Sequence, residues 1–271
     1  QEPMPPGSRV ACGVEYNGTS YNGWQVQPHI GTRTVQGELE AALAGVANQQ
    51  QLRIHCAGRT DTGVHATSQV IHFDPGSSRS PKSWVMGTNA ALPTDVRILW
   101  AVAVDSNFHA RFSARSRRYT YVIANTAVRP AILRDQVTWY RFPLDAELMN
   151  REARCLLGEL DFSAFRAAGC QSRGPMREVT QLTVQRRGHL VWLEIEANAF
   201  LHHMVRNIAG SLLAVGSGRK PPGWLAQVLA SRDRRLAADT APASGLYLSG
   251  VVYPGRFHIP TAAGPPWLLG N

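Results

Sequence analysis

The chain reads as an α+β protein made of two ferredoxin-like halves, each in the order β-α-β-β-α-β. Three observations predict this: short runs of alternating apolar residues, longer runs at helical spacing between them, and recurrence of one order in both halves of 271 residues. Helices on one face of an antiparallel sheet are the natural packing for that order. Two such halves can join edge to edge into one mixed, mainly antiparallel sheet with a central cleft.

Residues 1–8, QEPMPPGS, lack an apolar core segment and read as a disordered lead or tag remnant. The first half covers 9–107. Alternating Val10, Cys12, Val14 and Tyr16 mark a strand, and Val35, Leu39, Ala42, Leu43 and Val46 mark a helix capped by Thr34. Strands at 52–56 and 69–73 flank a loop, a short helix opens at Ser80-Pro81, and a strand covers 96–104. The second half covers 108–254. A strand at 118–124 leads to a helix capped by Asp145, with Met149, Ala153, Leu156 and Leu157 on one face. Strands at 178–186 and 190–198 join at Gly188. A helix follows from about Phe200 to Val215, then another opened by Pro221-Pro222, and a final strand at 246–253. The Pro- and Gly-rich tail, 255–271, is expected to run over the surface.

Composition narrows the function. The hydrophobic fraction of 44% is that of a globular chain, and no apolar run approaches the roughly 18 residues of a membrane span. Cys12, Cys56, Cys155 and Cys170 show no metal spacing and read as free thiols in a reducing cytoplasm. No metal site is expected: the adjacent His202 and His203 point apart on a helix, and His55 and His65 lack a third partner. A net charge of +9 and a pI of about 9.9 point to an anionic partner such as nucleic acid. Of the 28 basic residues 26 are arginine, which suits phosphate but also follows from a GC-rich genome. Clustering of Arg111, Arg115, Arg117 and Arg118, and of Arg166, Arg173 and Arg177, between predicted elements favours the first reading. Arg232, Arg234 and Arg235 fit a solvated helix end equally well.

The run CAGRTDTGVHA, residues 56–66, concentrates the chemistry. Asp61 sits on a tight Gly-bounded loop, two residues after Arg59 and four before His65. A carboxylate held there by backbone suits a group that meets a substrate, although an Asp that merely ties a turn is the plainer reading. Asp61-Thr62-Gly63 also spells the D-T-G of aspartic proteases. Those need two such carboxylates, and a single copy leaves only a homodimeric retroviral type. In FLHHMVRNIAGSL, 200–212, Arg206 lies off the main apolar stripe, beside Ala209, Gly210 and Leu213. That side is apolar enough to be covered, which would require a carboxylate partner; reaching water from the helix edge is the alternative. Tyr119 and Tyr121 share a strand face, as core residues or as a platform for an extruded base.

These pieces, in order, resemble the tRNA pseudouridine synthase A family from about Val10 to Pro254. They are YNGTSYNGWQVQ at 16–27, TVQGELEAAL at 34–43, AGRTDTGVHA at 57–66, FHARFSARSRRYTY at 108–121, CQSRGPMREV at 170–179, FLHHMVRNIAGSL and APASGLYLSGVVYP at 241–254. Asn17 and Thr62 depart from the family's usual Asp and Ala. The resemblance implies the pseudouridine synthase fold, a homodimer without cofactor, and isomerisation of uridine at positions thirty-eight to forty of the tRNA anticodon stem-loop. It implies Asp61 as the catalytic aspartate, Arg206 as its salt-bridge partner, Tyr119 as the base-stacking tyrosine, Arg59 as the base-displacing arginine and Leu246 as the apolar floor. It further implies tRNA contacts at Arg79, at Phe108, His109, Ala110, Arg111 and Phe112, and at Gly169, Cys170, Gln171, Ser172 and Arg173. A non-catalytic RNA-binding protein with a ferredoxin-like sheet is the rival from another class, although no RNP aromatic run is present.

Overall fold

The structure is a computed structural model that describes residues 2–27, 31–260 and 266–270. Gln1 of the expected lead, and 261–265 and Asn271 of the expected tail, lie outside the described residues. The fold is α+β, and the chain packs as two compact units, Gln1–Arg115 with Leu248–Asn271, and Ser116–Tyr247. Among the described residues no helix is long and apolar enough to cross a membrane.

In the first unit β1 (Arg9–Tyr16), α1 (Val35–Ala47), β2 (His55–Cys56), β3 (His65–Phe73), α2 (Pro81–Ala91) and β4 (Val96–Val104) follow the predicted order. The strand order is β4-β1-β3-β10, with β2 paired to β3 and β10 covering Leu246–Val252. The predicted caps hold: Thr34 accepts from the Gly37 N–H at 3.3 Å and Ser80 from the Ser83 N–H at 3.1 Å. The strand expected at 52–56 shrinks to two residues. The Ile54 N–H donates to Glu40 Oε1 at 3.1 Å, so a side chain takes the donor that a ladder would need.

All nine residues of β3 are buried, so both faces of this strand are covered. On one face Phe73 meets Trp84 of α2 edge-on, 5.2 Å between centroids. On the other, Val70 packs with Ala11, Ala57, Phe108, Ala110 and Phe257. Part of the expected surface tail is thus core: Phe257 and Leu269 are both buried. The lead is tied down as well, since Met4 is buried and its N–H donates to the Arg79 carbonyl at 2.9 Å.

In the second unit β5 (Ser116–Asn125), β8 (Met176–Arg187) and β9 (Leu190–Ala197) form antiparallel ladders in the order β5-β9-β8-β7. Two short strands escape the sequence reading: β6 (Thr138–Tyr140), parallel to β5, and β7 (Gly158–Asp161), antiparallel to β8. Neither is long enough to show a period of two. Asp145 caps α3 (Ala146–Ala153) by accepting from the Leu148 N–H at 2.8 Å. That helix tightens into a 3-10 turn at Arg154–Leu156, which leaves Leu157 41% exposed rather than on the apolar face. The predicted helix from Phe200 begins only at Met204: α4 is Met204–Gly216, because His203 takes a left-handed φ of 59° and the Met204 N–H turns back to the Leu201 carbonyl. A fifth helix, α5 (Trp224–Ser231), follows Pro221-Pro222.

Trp84 is fully buried. Trp84→Ala is expected to cost about 3–5 kcal/mol through lost burial and the cavity left behind, measured as a shift in the urea unfolding midpoint.

Candidate active site

Asp61 is placed by backbone bonds made just ahead of it. The Ala57 N–H donates to Val70 O at 2.8 Å, and the Trp24 N–H to Thr60 O at 3.0 Å. Beneath them lies a buried polar network. Gln69, with no exposed surface, donates from Nε2 to Gly58 O at 2.6 Å and accepts the Gly58 N–H at 3.3 Å. Tyr16 Oη and Thr60 Oγ1 lie 2.7 Å apart. The chain then turns back, with the Val64 N–H donating to Asp61 O at 3.1 Å and Gly63 at φ 79°, the position where such a turn favours glycine. The turn that ties this loop also carries the carboxylate: the Asp61 carbonyl closes it, and the Asp61 side chain is half-buried. Arg59 stands exposed on the same loop. Burial pushes the Cys56 thiol up to about 12 despite nearby Arg59, so it is an inert neutral group. All four cysteines are free.

The run 108–112 divides by burial. Phe108 and Ala110 are completely covered, so their side chains belong to the core and do not present themselves to a ligand. Arg111 and Phe112 are exposed, with the Arg111 guanidinium 5.6 Å from the Phe112 ring centroid. The run is held from the carbonyl side: Arg9 Nη1 donates to Phe108 O at 2.8 Å and Tyr253 Oη to Ala110 O at 2.6 Å. Arg79 lies ahead of α2 and donates from Nε to Val46 O at 3.2 Å.

In the second unit Tyr119 is half-buried on β5 and meets Phe200 edge-on at 5.0 Å. Tyr121, two residues on, is core; its hydroxyl lies 2.5 Å from Thr138 Oγ1 and donates to Pro242 O at 2.9 Å. The two tyrosines of one strand face thus divide, one to the core and one to a partly open position. Arg206 sits in the first turn of α4. The small side of that helix is covered as read, with Ala209 and Leu213 buried. Gly210 is what allows this, since a Cβ there would lie 2.0 Å from the Asp239 carbonyl oxygen. The close approach ties Arg206 twice to Ala241: its Nε donates to Ala241 O at 2.7 Å, and its own carbonyl accepts the Ala241 N–H at 3.1 Å. Leu246 is buried at the start of β10.

Residues 169–173 form a loop that two arginines brace from within. Arg166 Nη2 donates to Cys170 O at 2.7 Å and Ser172 O at 2.8 Å. Arg177 donates to the Ser172 hydroxyl and to Gly174 O. Gly169, Gln171 and Arg173 face outward. Burial raises the Cys170 thiol, but bonds from the His202 and Ser172 N–H groups and nearby Arg166 outweigh it and hold the thiol below its ordinary range. Sequence clustering misassigned several other arginines. Arg117 and Arg118 belong to β5 rather than to a loop, and Arg118 pairs with Glu196 at 2.7 Å. Arg234 reaches Asn207 Oδ1 at 3.0 Å and Thr240 Oγ1 at 3.1 Å, a brace on α4 rather than a solvated end.

Gln69 and the fully buried Asn207 were invisible as anchors in the sequence, because nothing local distinguishes a buried amide from an exposed one. The only signal was placement: each stands directly ahead of an apolar pair, Val70-Ile71 and Ile208-Ala209. Gln69→Leu would leave both polar groups of Gly58 without their partner. It is expected to lower stability by about 1–3 kcal/mol, read from thermal and urea unfolding of the variant.

The family described as tRNA pseudouridine synthase matches residues 13–113 and 153–254. Those ranges contain Asp61 and Arg206, while Tyr119 falls between them. The tRNA pseudouridine synthase A of Escherichia fergusonii is 51% identical over 268 residues, covering 99% of this chain and 98% of that protein. That of Citrobacter koseri is 52% identical over 266 residues (98% and 97%), and that of Cronobacter sakazakii 50% over 266 residues (98% and 97%). A solved Cbf5-Nop10-Gar1 complex aligns with a TM-score of 0.35 at 11% identity, over 88% of this chain and 48% of that one, too remote to bear on fold or function. With the match spanning both units and relatives aligned nearly end to end, the chain belongs to the tRNA pseudouridine synthase family.

Proposed function

We propose that this protein isomerises uridine to pseudouridine at positions thirty-eight to forty of the tRNA anticodon stem-loop, with Asp61 as its catalytic carboxylate. Family membership over nearly the whole chain is the observation that carries the reading, and it makes the protein an isomerase acting on tRNA. The braced loop supports the choice of Asp61, because a reacting group must be held to within a fraction of an ångström.

The reaction breaks the N1–C1′ bond of uracil and forms C5–C1′; C5 loses its proton and N1 regains one. Every atom comes from one nucleotide and water. The target base is extruded at a cost of a few kcal/mol, Arg59 takes the vacated space, and Tyr119 stacks on the base above the apolar Leu246. Asp61 acts as nucleophile or base, with Arg206 as its ion-pair partner in this reading. The tie of Arg206 Nε to Ala241 O restricts its guanidinium to one orientation. Arg79, the exposed Arg111 and Phe112, and the loop 169–173 form the tRNA track, and the protein works as a cytoplasmic homodimer.

Replacing Asp61 with Ala should lower tritium release from C5-labelled tRNA by roughly 10³-fold or more while tRNA binding persists. Appreciable turnover in that variant rejects the role, and a wild-type protein that binds tRNA without releasing tritium would be an RNA-binding module instead. Arg206→Lys should reduce kcat, since an ammonium lacks the fork geometry. Binding should weaken on the order of 10-fold between 50 and 200 mM salt through counterion release; a flat dependence rejects the arginine track.

A further inference from the structure

Three imidazoles, one of them His109 of the run 108–112 itself, gather behind residues 110–112. His72 of β3 is almost wholly buried. Its ring stacks on His55 of β2 at 5.0 Å and 18°, and stands edge-on to His109 at 4.5 Å. His55 and His109 are 5.3 Å apart. The strand pairing that sets His55 opposite His72 builds half of the cluster, and Phe108 closes it edge-on at 6.0 Å.

Two of these rings accept hydrogen bonds from the run. His72 Nδ1 accepts the Ala110 N–H at 3.0 Å. His109 Nδ1 accepts the Arg111 N–H at 3.1 Å and lies 3.4 Å from the Phe112 N. A neutral imidazole has one acceptor nitrogen, and a protonated one has none. Both rings must therefore carry their single proton on Nε2. The surroundings enforce neutrality. The charged and titratable groups facing the cluster are Arg9 (bridged to Asp74 at 2.7 Å), Arg111, and the other imidazoles. Burial first, then the neighbouring imidazoles and Arg9, hold His72 at about 3 and His109 below the ordinary histidine range, with Arg111 adding to the effect on His109.

We propose that His72 and His109 are positioning residues for tRNA: as neutral acceptors they fix the N–H groups of residues 110–112 and so aim the exposed Arg111 and Phe112 at the RNA. This rests on the reading that 108–112 contacts tRNA. Arg9 and Tyr253 hold the carbonyls of the run from one side, and the two histidines hold its N–H groups from the other. Phe112 is 75% exposed, with its ring 4.3 Å from that of His109. A guanidinium beside an exposed ring anchored on a half-buried one suits a phosphate and an adjacent unpaired base. Protonation of either histidine would set N–H against N–H and release the run.

Steady-state kinetics with unmodified tRNA test this at neutral pH. His109→Phe keeps an aromatic ring and removes the acceptor; it should raise KM roughly five- to thirty-fold, the loss of one or two hydrogen bonds, with kcat nearly unchanged. His109→Asn returns an acceptor close to the Nδ1 position and should restore most of the affinity. The same pair at His72 should behave alike, and if His72→Phe fails to fold, the His109 pair decides. Arg111→Ala is the separate arm. A raised KM there with unchanged KM in His109→Phe overturns the positioning role while leaving the tRNA contact intact. An unchanged KM in Arg111→Ala overturns the contact itself, and the proposal with it. An Asn variant as impaired as the Phe variant, or a fall in kcat alone, also overturns it.

Discussion

Everything assigned to Asp61 depends on a buried amide. Gln69 holds both polar groups of Gly58 from inside β3, with no surface of its own exposed to solvent. A glutamine with no exposed surface is costly unless its hydrogen bonds are made. Here they are made to the backbone of the loop that carries the carboxylate. The same energetic term that would penalise an unpaired amide therefore fixes the loop: moving Asp61 means breaking bonds that only this geometry satisfies. Tyr16 and Thr60 extend the network toward Asp61.

Arginine plays two parts in this chain. The composition, with 26 of 28 basic residues arginine, suggests a surface made for phosphate. Several of those guanidinium groups instead brace the protein's own backbone. Arg9 carries carbonyls of the 106–108 segment, Arg166 and Arg177 hold the loop 169–173, and Arg234 secures α4. Five donors in a rigid fork can satisfy carbonyls that a compact ammonium cannot reach together. The scarcity of lysine follows as naturally from that structural use as from nucleic-acid binding. Arg59, Arg111 and Arg173 are among the arginines that remain exposed on loops.

Long periodic elements were legible in the sequence. The strand at Val96–Val104 and the capped helices at Val35–Ala47 and Pro81–Ala91 stand where alternation and N-cap residues placed them. Departures occur where a side chain or one backbone angle overrides the pattern. Glu40 takes the Ile54 donor, His203 in the left-handed region delays α4 to Met204, and a 3-10 turn after Ala153 swings Leu157 outward. None of these has a periodic signature, since each is settled by a single hydrogen bond or torsion. The short β6 and β7 are fixed by their neighbours and not by their own residues.

The sequence by itself determined the order of the longer elements, the Gly-bounded loop carrying Asp61 and, through ordered motifs, the family. These depend on local propensity and on residue types at fixed spacing, which a linear string preserves. Only the tertiary structure decided which polar groups are anchors: Gln69 beneath Gly58, Asn207 beneath Arg234, and the imidazoles of His72 and His109 behind 110–112. It also sent Phe108, Ala110 and Phe257 to the core while leaving Arg111 and Phe112 exposed. Burial and hydrogen-bond partnership are set by residues distant in the chain, so no window of sequence contains them.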